Sequence, residues 1–356
     1  MPDHVQIAII GAGPAGLSAA AHAAETGTSH VLLERAAHIA DTIHKYQRGK
    51  YVMATPDTVP LRADLTFEAG TRERLLQRWW DEADRLGVNL QLEADVAAIS
   101  GARGDFEITL RDGRTYRADA VVLGIGVQGN LNKLPIQGAE NGLVQYQLDD
   151  PDAYQDERIV VIGAGDAGVE NALALAPHNA VTIINRDHEF ARCKTGNLNA
   201  VNQAIERGQL KCLYGTKPVE VTETGLRVET ADGDGFVACD RIIARLGASP
   251  PRKFVEACGV RFPTDDRHAL PEVTETYESN VPGLYIIGAL GGFPLIKQAM
   301  NQGYEVVETL NGRRIAPADE PILAEIMAPL RPLDVAAALQ AIKRRVPLFA
   351  ELATIK

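Results

Sequence analysis

Residues 7–35 read IAIIGAGPAGLSAAAHAAETGTSHVLLER, and residues 159–186 read IVVIGAGDAGVENALALAPHNAVTIINR. Each passes from a short apolar run through G-x-G-x-x-G into an alanine- and leucine-rich segment, a polar break and a second apolar run. That order is strand, glycine turn, helix, strand: a βαβ unit, present twice. Gly11 and Gly163 permit the tight turn off the strand. Gly13 and Gly165 lack the Cβ that would hold a pyrophosphate away from the backbone, and Gly16 and Gly168 let helix and sheet pack closely. The helices, beginning Pro14-Ala15 and Asp166-Ala167, offer unpaired N–H groups and a positive dipole end to the phosphates. One such motif is weak. Two in matching contexts predict an α/β chain with two Rossmann-like dinucleotide-binding domains.

The ends of the second strands separate the two sites. In the first unit the apolar run ends at Glu34, followed by Arg35, about 20 residues beyond the glycines. A carboxylate there accepts hydrogen bonds from both ribose hydroxyls of an adenosine and repels a 2′-phosphate, which suits FAD or NAD. The aligned position in the second unit is Asn185, followed by Arg186, with Arg192 further on. The repelling acid is gone, and guanidinium–phosphate hydrogen bonds are charge-assisted and often bidentate. NADPH is therefore expected in the second site, although Asp187 opposes it if turned inward.

Composition narrows the function classes. The 356 residues have room for two ordinary domains, and 46% hydrophobic with 23% charged content is that of a soluble globular protein. A net charge of −11 argues against a nucleic-acid partner. The eight histidines lack metal-ligand spacing, so no metal site is expected. The apolar stretch from Ile7 to Ala24 is broken by Gly11, Gly13, Pro14 and Gly16, so neither a signal peptide nor a membrane partner is expected, and the cytoplasm is the default location. Cys193, Cys212, Cys239 and Cys258 stand far apart, with no Cys-x-x-Cys pair.

Between the repeats, 49–60 reads as a loop and Thr71–Leu86, with RERLLQRWWDEADRL, as an amphipathic helix. Asp112-Gly113 marks a hairpin joining Phe106–Leu110 to Arg114–Ala118, followed by a separate buried strand, Ala120–Leu123, that runs into Gly124-Ile125-Gly126. The second half echoes this with a hairpin at Asp232-Gly233, then Arg241–Ala244 and Gly247. Gly126 and Gly247 are placed among the cofactor-binding residues, at strand ends where chain can cross between domains. A third apolar strand, Gly283–Ile287, ends at Gly288 and precedes a helix from Ile296 to Leu310. It reads as a return to the first domain. The expected division is 1–127 and 251–315 for one domain, with 128–250 inserted and 316–356 as a tail.

GAGPAG at 11–16, GAGDAG at 163–168, NRDHEFAR at 185–192, VPGLYIIGA at 281–289 and KQA at 297–299 together resemble the thioredoxin-reductase-like family of two-dinucleotide flavoproteins, over about residues 5–312. The resemblance implies FAD in the first domain, NADPH in the inserted one, large domain rotations and a homodimer. It also implies that Lys297, Gln298 and Ala299 open a helix facing the flavin pyrimidine, where backbone N–H groups stabilise the negative charge of reduced flavin. Three departures stand out. The family's redox-active Cys-x-x-Cys is missing, which excludes thioredoxin reduction through an internal dithiol and makes the cysteines inert thiols. The family's Gly-Asp beside the flavin ribityl–phosphate chain is Gly288-Ala289 here, and its paired arginines are Arg186-Asp187. Relatives without the dithiol, ferredoxin–NADP reductases of this type and bacillithiol-disulfide-reductase-like proteins, are the better analogues.

The implied chemistry is hydride transfer from nicotinamide to flavin, driven by proximity and orientation, with no general acid or base assigned. Electrons then pass to an external acceptor: a ferredoxin-type carrier, a disulfide, a quinone or oxygen. A non-enzymatic dinucleotide sensor is the alternative. In the tail, 333–343 has the pattern of an amphipathic helix, and 346–352 resembles the lead-in to a cyclic-nucleotide-binding domain. Either a regulatory domain follows in a longer protein, or the helix docks on the core.

Overall fold

The computed structural model describes residues 4–327; the expected tail helix at 333–343 and the segment at 346–352 lie outside them. Eight α-helices are described: α1 (Pro14–Glu25), α2 (Asp41–His44), α3 (Arg72–Leu86), α4 (Asp166–Leu175), α5 (Thr195–Glu206), α6 (Arg252–Ala257), α7 (Ile296–Leu310) and α8 (Glu320–Met327). Within the described residues the chain forms two compact units, one of 4–44, 51–130 and 249–327, the other of 45–50 and 131–248.

The first unit is built on a seven-stranded sheet. Its parallel part runs Leu90–Gln91, His30–Leu33, His4–Ile10, Thr115–Leu123, so the first strand of the repeat is central. The strands His30–Leu33 and Leu284–Ile286 are buried along their whole length, as a parallel sheet covered on both faces requires. Asp105–Leu110 and Val96–Ala102 extend the sheet antiparallel. The second hairpin strand and the buried strand expected after it are one nine-residue strand, Thr115–Leu123. Its first half pairs with the hairpin and its second half pairs with Leu284–Ile286 on the same edge, while the opposite edge pairs with His4–Ile10. A polar start and an apolar finish thus reflect a change of neighbour, not a break in the strand. The expected loop at 49–60 also contains a short strand, Tyr51–Val52, paired with Gly70–Thr71.

Helix α1 is made mostly of Ala, Gly and Ser, which lets α7 approach it: a Cβ on Gly303 would lie 2.3 Å from the Ala15 carbonyl oxygen. Helix α3 starts at Thr71, whose hydroxyl accepts the Arg74 N–H, and buries Leu75, Trp79 and Ala83 at four-residue spacing. The second unit repeats the strand order of the first. Lys211–Leu213, Ala180–Ile184, Arg158–Ile162, Arg241–Ala244 and Val144–Gln145 form a wholly parallel sheet. Ile159 and Val161 face the core under α4 and α5, whereas Val160 and Ile162 face a three-stranded antiparallel sheet at 217–238. In each unit the glycine turn leaves the carboxyl end of a central strand, where the chain order of the strands reverses and open α/β sheets bind ligands.

Candidate dinucleotide sites

In the first turn, Gly11 has φ +95°, and a Cβ on it would meet the Gly124 carbonyl oxygen at 2.9 Å. A Cβ on Gly16 would lie 1.9 Å from the Gly11 carbonyl oxygen, so α1 sits against the strand end as the motif demands. Gly13 differs from both. At φ −72° its Cβ would find nothing nearer than 3.7 Å, so the protein itself does not require glycine there. No side chain caps α1, and its first internal bond is Leu17 N–H to the Gly13 carbonyl. The preceding N–H groups of Ala15 and Gly16 remain for an anion; Pro14 has none to give.

Glu34 is buried beside this turn, with 8% of its surface exposed. Its Oε2 accepts the Ala12 N–H at 2.7 Å and its Oε1 the Ala36 N–H at 2.8 Å. Two backbone amides thus hold the carboxylate in place, and a second lone pair on each oxygen is left for ribose hydroxyls. Arg35 is exposed, its guanidinium beside Gly129. The return strand delivers Gly288 onto the same place: a Cβ on it would lie 3.0 Å from the Ala15 Cβ and 3.6 Å from that of Ala299. Its N–H donates to Gln302 Oε1 at 2.7 Å. The first turns of α1 and α7 therefore meet at Gly288, with Ala289 next to it.

Helix α7 also lacks a side-chain cap, and its first internal bond is Ala299 N–H to the Leu295 carbonyl, leaving the amides of Ile296, Lys297 and Gln298 before it. The side chains of Lys297 and, through its Nε2 alone, Gln298 are engaged elsewhere. Lys297 Nζ donates to the Pro56 carbonyl at 2.7 Å, and its burial lowers its pKa. Gln298 Nε2 donates to Asp319. What this helix start offers a flavin is backbone. A buried carboxylate held by amides and two uncapped helix starts fit the adenosine, pyrophosphate and flavin portions of FAD. Gly126, with φ +60°, follows the strand Thr115–Leu123 within the same unit.

The second turn repeats the geometry. Gly163 has φ +116°, a Cβ on it would lie 2.3 Å from the Arg245 carbonyl oxygen, and one on Gly168 would lie 1.9 Å from that of Gly163. A Cβ on Gly165 would meet nothing within 4 Å. Helix α4 is uncapped and begins its internal bonding with Val169 N–H to the Gly165 carbonyl. The amides of Asp166, Ala167 and Gly168 precede that bond, which fits a second pyrophosphate. The Asp166 carboxylate is occupied: Oδ1 accepts the Lys194 N–H at 2.9 Å and Asn197 Nδ2 at 2.8 Å, tying the start of α4 to that of α5. Asn185 is buried, accepting the Asp187 N–H and donating to the Glu189 carbonyl, so it shapes the loop that carries Arg186. Arg186 and Asp187 are exposed and 3.9 Å apart, a pair that a phosphate can displace at little cost. The Arg192 guanidinium is exposed and has no partner among the described residues. Gly247 is held at its strand end by Asn132, whose N–H donates to the Gly247 carbonyl.

Sequence reasoning missed the 45–50 segment. Lys50 Nζ pairs with Glu170 at 2.6 Å, Gln47 accepts from Asn171 at 3.1 Å, and Arg48 N–H donates to the Asp149 carbonyl. Nothing in its local pattern signals a partner more than a hundred residues away. All four cysteines are free. Burial pushes the thiols of Cys193, Cys212, Cys239 and Cys258 each up to about 11, with neighbouring carboxylates adding to the shift at Cys193. Among the described residues no group of three or more metal-ligating side chains is arranged to hold an ion, and no helix is long and apolar enough to cross a membrane.

A family model described as pyridine nucleotide-disulphide oxidoreductase matches residues 8–288. The chain belongs to this family. As a pyridine nucleotide-disulphide oxidoreductase it is an FAD-dependent NAD(P)H oxidoreductase that delivers electrons to an external acceptor. Membership favours an enzyme over the non-catalytic sensor. The chain is 26% identical over 313 residues to a ferredoxin–NADP reductase of Gluconacetobacter diazotrophicus, covering 83% of this chain and 88% of the relative. Among solved structures, a bacillithiol disulfide reductase from Staphylococcus aureus superposes with a TM-score of 0.78 at 20% identity, covering 87% of this chain and 98% of that one. Thioredoxin reductase from Lactococcus lactis gives 0.73 at 22% identity, with 86% and 98% covered. These two likenesses show the shared two-Rossmann fold.

Proposed function

We propose that the first unit holds FAD, that the inserted unit holds NADPH, and that electrons leave for a ferredoxin-type carrier. The carrying observation is the repeated, uncapped glycine turn with opposite chemistry at its second-strand end, Glu34 in one copy and Asn185-Arg186 in the other. The bound dinucleotides supply the hydride chemistry. The chain's part is to position them. Gly13 and Gly165 give the phosphates access to backbone amides, Glu34 holds the FAD ribose, and Arg186 and Arg192 hold the NADPH 2′-phosphate. The amides of Lys297 and Gln298 face developing negative charge on the flavin.

Two observations support an external acceptor that is not reached through a protein dithiol: the absence of Cys-x-x-Cys and the raised thiol pKa values. The likeness to ferredoxin–NADP reductases over most of the chain supports the carrier. A homodimer is part of the same proposal, to be checked by light scattering. In the decisive experiment the purified protein is yellow, absorbs near about 450 nm and bleaches anaerobically on adding NADPH, then reoxidises with ferredoxin. Colourless protein that retains no FAD when supplied with it refutes the proposal. Reoxidation by disulfides alone refutes only the carrier.

A further inference from the structure

Two fully buried polar atoms of the second unit have no hydrogen-bond partner among the described residues: Arg245 Nε, a donor, and Asn171 Oδ1, an acceptor. Leaving such groups unpaired costs free energy, so both call for a partner from outside the chain. The rest of each side chain is fixed. Arg245 Nη1 donates to the Tyr146 carbonyl at 2.7 Å, and Asn171 Nδ2 donates to Gln47 Oε1 at 3.1 Å. Asn171 is only 7% exposed. Burial pulls the pKa of Arg245 down, with Glu170 and Tyr46 opposing the shift.

Both residues belong to the nucleotide end of this unit. The Arg245 N–H donates to the Ile162 carbonyl at 2.7 Å, and a Cβ on Gly163 would lie 2.3 Å from the Arg245 carbonyl oxygen. Arg245 is therefore one wall of the glycine turn. Asn171 stands on α4, about 8 Å along its axis from Asp166. Asn185 and Arg186 follow the strand Ala180–Ile184 on one side of the central strand, and Arg245 follows Arg241–Ala244 on the other. Such ligands lie across the crevice where the strand order reverses. A dinucleotide with its adenosine at Asn185 and its pyrophosphate at α4 thus sends its other half toward Arg245. In NADPH that half ends in a primary carboxamide, an acceptor oxygen beside an NH₂ donor. The donor and acceptor that the chain leaves over are its complement.

We propose that Arg245 and Asn171 form the subsite for the nicotinamide carboxamide, Arg245 Nε donating to its oxygen and Asn171 Oδ1 accepting from its nitrogen. The inference rests on reading the second unit as the NADPH site. The 45–50 segment is the cover of this subsite. Its Gln47 is bonded to Asn171, its Lys50 pairs with Glu170 at 2.6 Å, and its Tyr46 is near enough to Arg245 for each to shift the other's pKa. Neither unpaired atom is open to solvent, so the ring enters as this segment shifts.

The test is calorimetry on the full chain loaded with FAD, using three probes. These are NADP, its 3-acetylpyridine analogue, in which a methyl ketone replaces the carboxamide, and 2′-phospho-ADP-ribose, which lacks the ring. The unmodified protein should bind NADP about tenfold more tightly than the analogue, which keeps the oxygen but has no N–H for Asn171. Asn171→Leu, with the same branched shape, should weaken NADP about tenfold and leave the analogue unchanged, so that the two converge. Arg245→Met should weaken both about tenfold. Neither substitution should alter binding of 2′-phospho-ADP-ribose by more than about twofold. Equal binding of NADP and the analogue by the unmodified protein, or equal loss of both in Asn171→Leu, overturns the subsite. So do substitutions that lower only the melting temperature, as loss of a structural water would. If 2′-phospho-ADP-ribose also fails to bind the unmodified protein, the NADPH reading of this unit fails with it.

Discussion

Two glycines three residues apart, Gly165 and Gly168, should respond to the same added methyl group in opposite ways. A Cβ at Gly165 meets no protein atom within 4 Å, and the residue's φ of −89° is one that alanine adopts freely. Gly165→Ala removes unfolded-state entropy, worth about 0.4–1 kcal/mol of stability, and loses a similar amount because alanine is a poor N-cap. The melting temperature should hardly move. Its methyl group would occupy the approach of the pyrophosphate, so NADP affinity should fall about 100-fold, near 2.7 kcal/mol. At Gly168 the Cβ would lie 1.9 Å from the Gly163 carbonyl oxygen, a backbone atom that cannot swing aside. Gly168→Ala should cost about 3 kcal/mol, the upper end of overpacking, and lower the melting temperature of that unit by roughly 10 °C. Calorimetric titration with NADP and thermal melts read the two effects separately. Gly165→Ala binding NADP within threefold of the unmodified protein, or Gly168→Ala melting with it, would show that the glycines do not divide their tasks in this way.

Arg186→Ala should reduce the preference for NADPH over NADH by roughly ten- to a hundredfold, and Asp187→Ala should raise it by removing the competing carboxylate; steady-state kinetics with both nucleotides decide this. Cys193, with its thiol near 11, should be alkylated by iodoacetamide at pH 8 about a hundredfold more slowly than a thiol of ordinary pKa, and inactivation that tracks its labelling would contradict that. His22, on α1, lies buried against α7, its Nδ1 2.7 Å from Asp64 and its Nε2 2.7 Å from Glu308, with the Tyr304 ring tilted 32° against its own. Burial alone would lower its pKa, but the two carboxylates outweigh that and raise it above the ordinary 6.5. The stabilisation is therefore full below about pH 6.5 and is lost as pH rises through the folded value. His22→Gln should cost about 3 kcal/mol at pH 5.5 and less at pH 9 in urea melts, and a gap independent of pH would refute the charged pairing.

The repeated turns, the extent of α7 from Ile296 to Leu310 and the contrast between Glu34 and Asn185 were all legible in the chain, because each depends on neighbours in sequence: period, punctuation and the residue type at a strand end. The family's missing dithiol was equally plain. Tertiary structure decided where side chains point. It turned Asp166 toward Lys194 and Asn197, fastened Glu34 to the amides of Ala12 and Ala36, and set Lys297 against Pro56, since packing of distant segments, not local pattern, supplies those partners. It also joined two expected strands into Thr115–Leu123 by giving one strand successive neighbours, and it assigned 45–50 to the second unit through Lys50 and Gln47. Sequence by itself determined which backbone turns can cradle a phosphate. Only the folded chain determined which charged side chains remain available to the ligand, because a side chain's hydrogen-bonding capacity is limited and whichever group packs beside it takes the share that the sequence leaves unassigned.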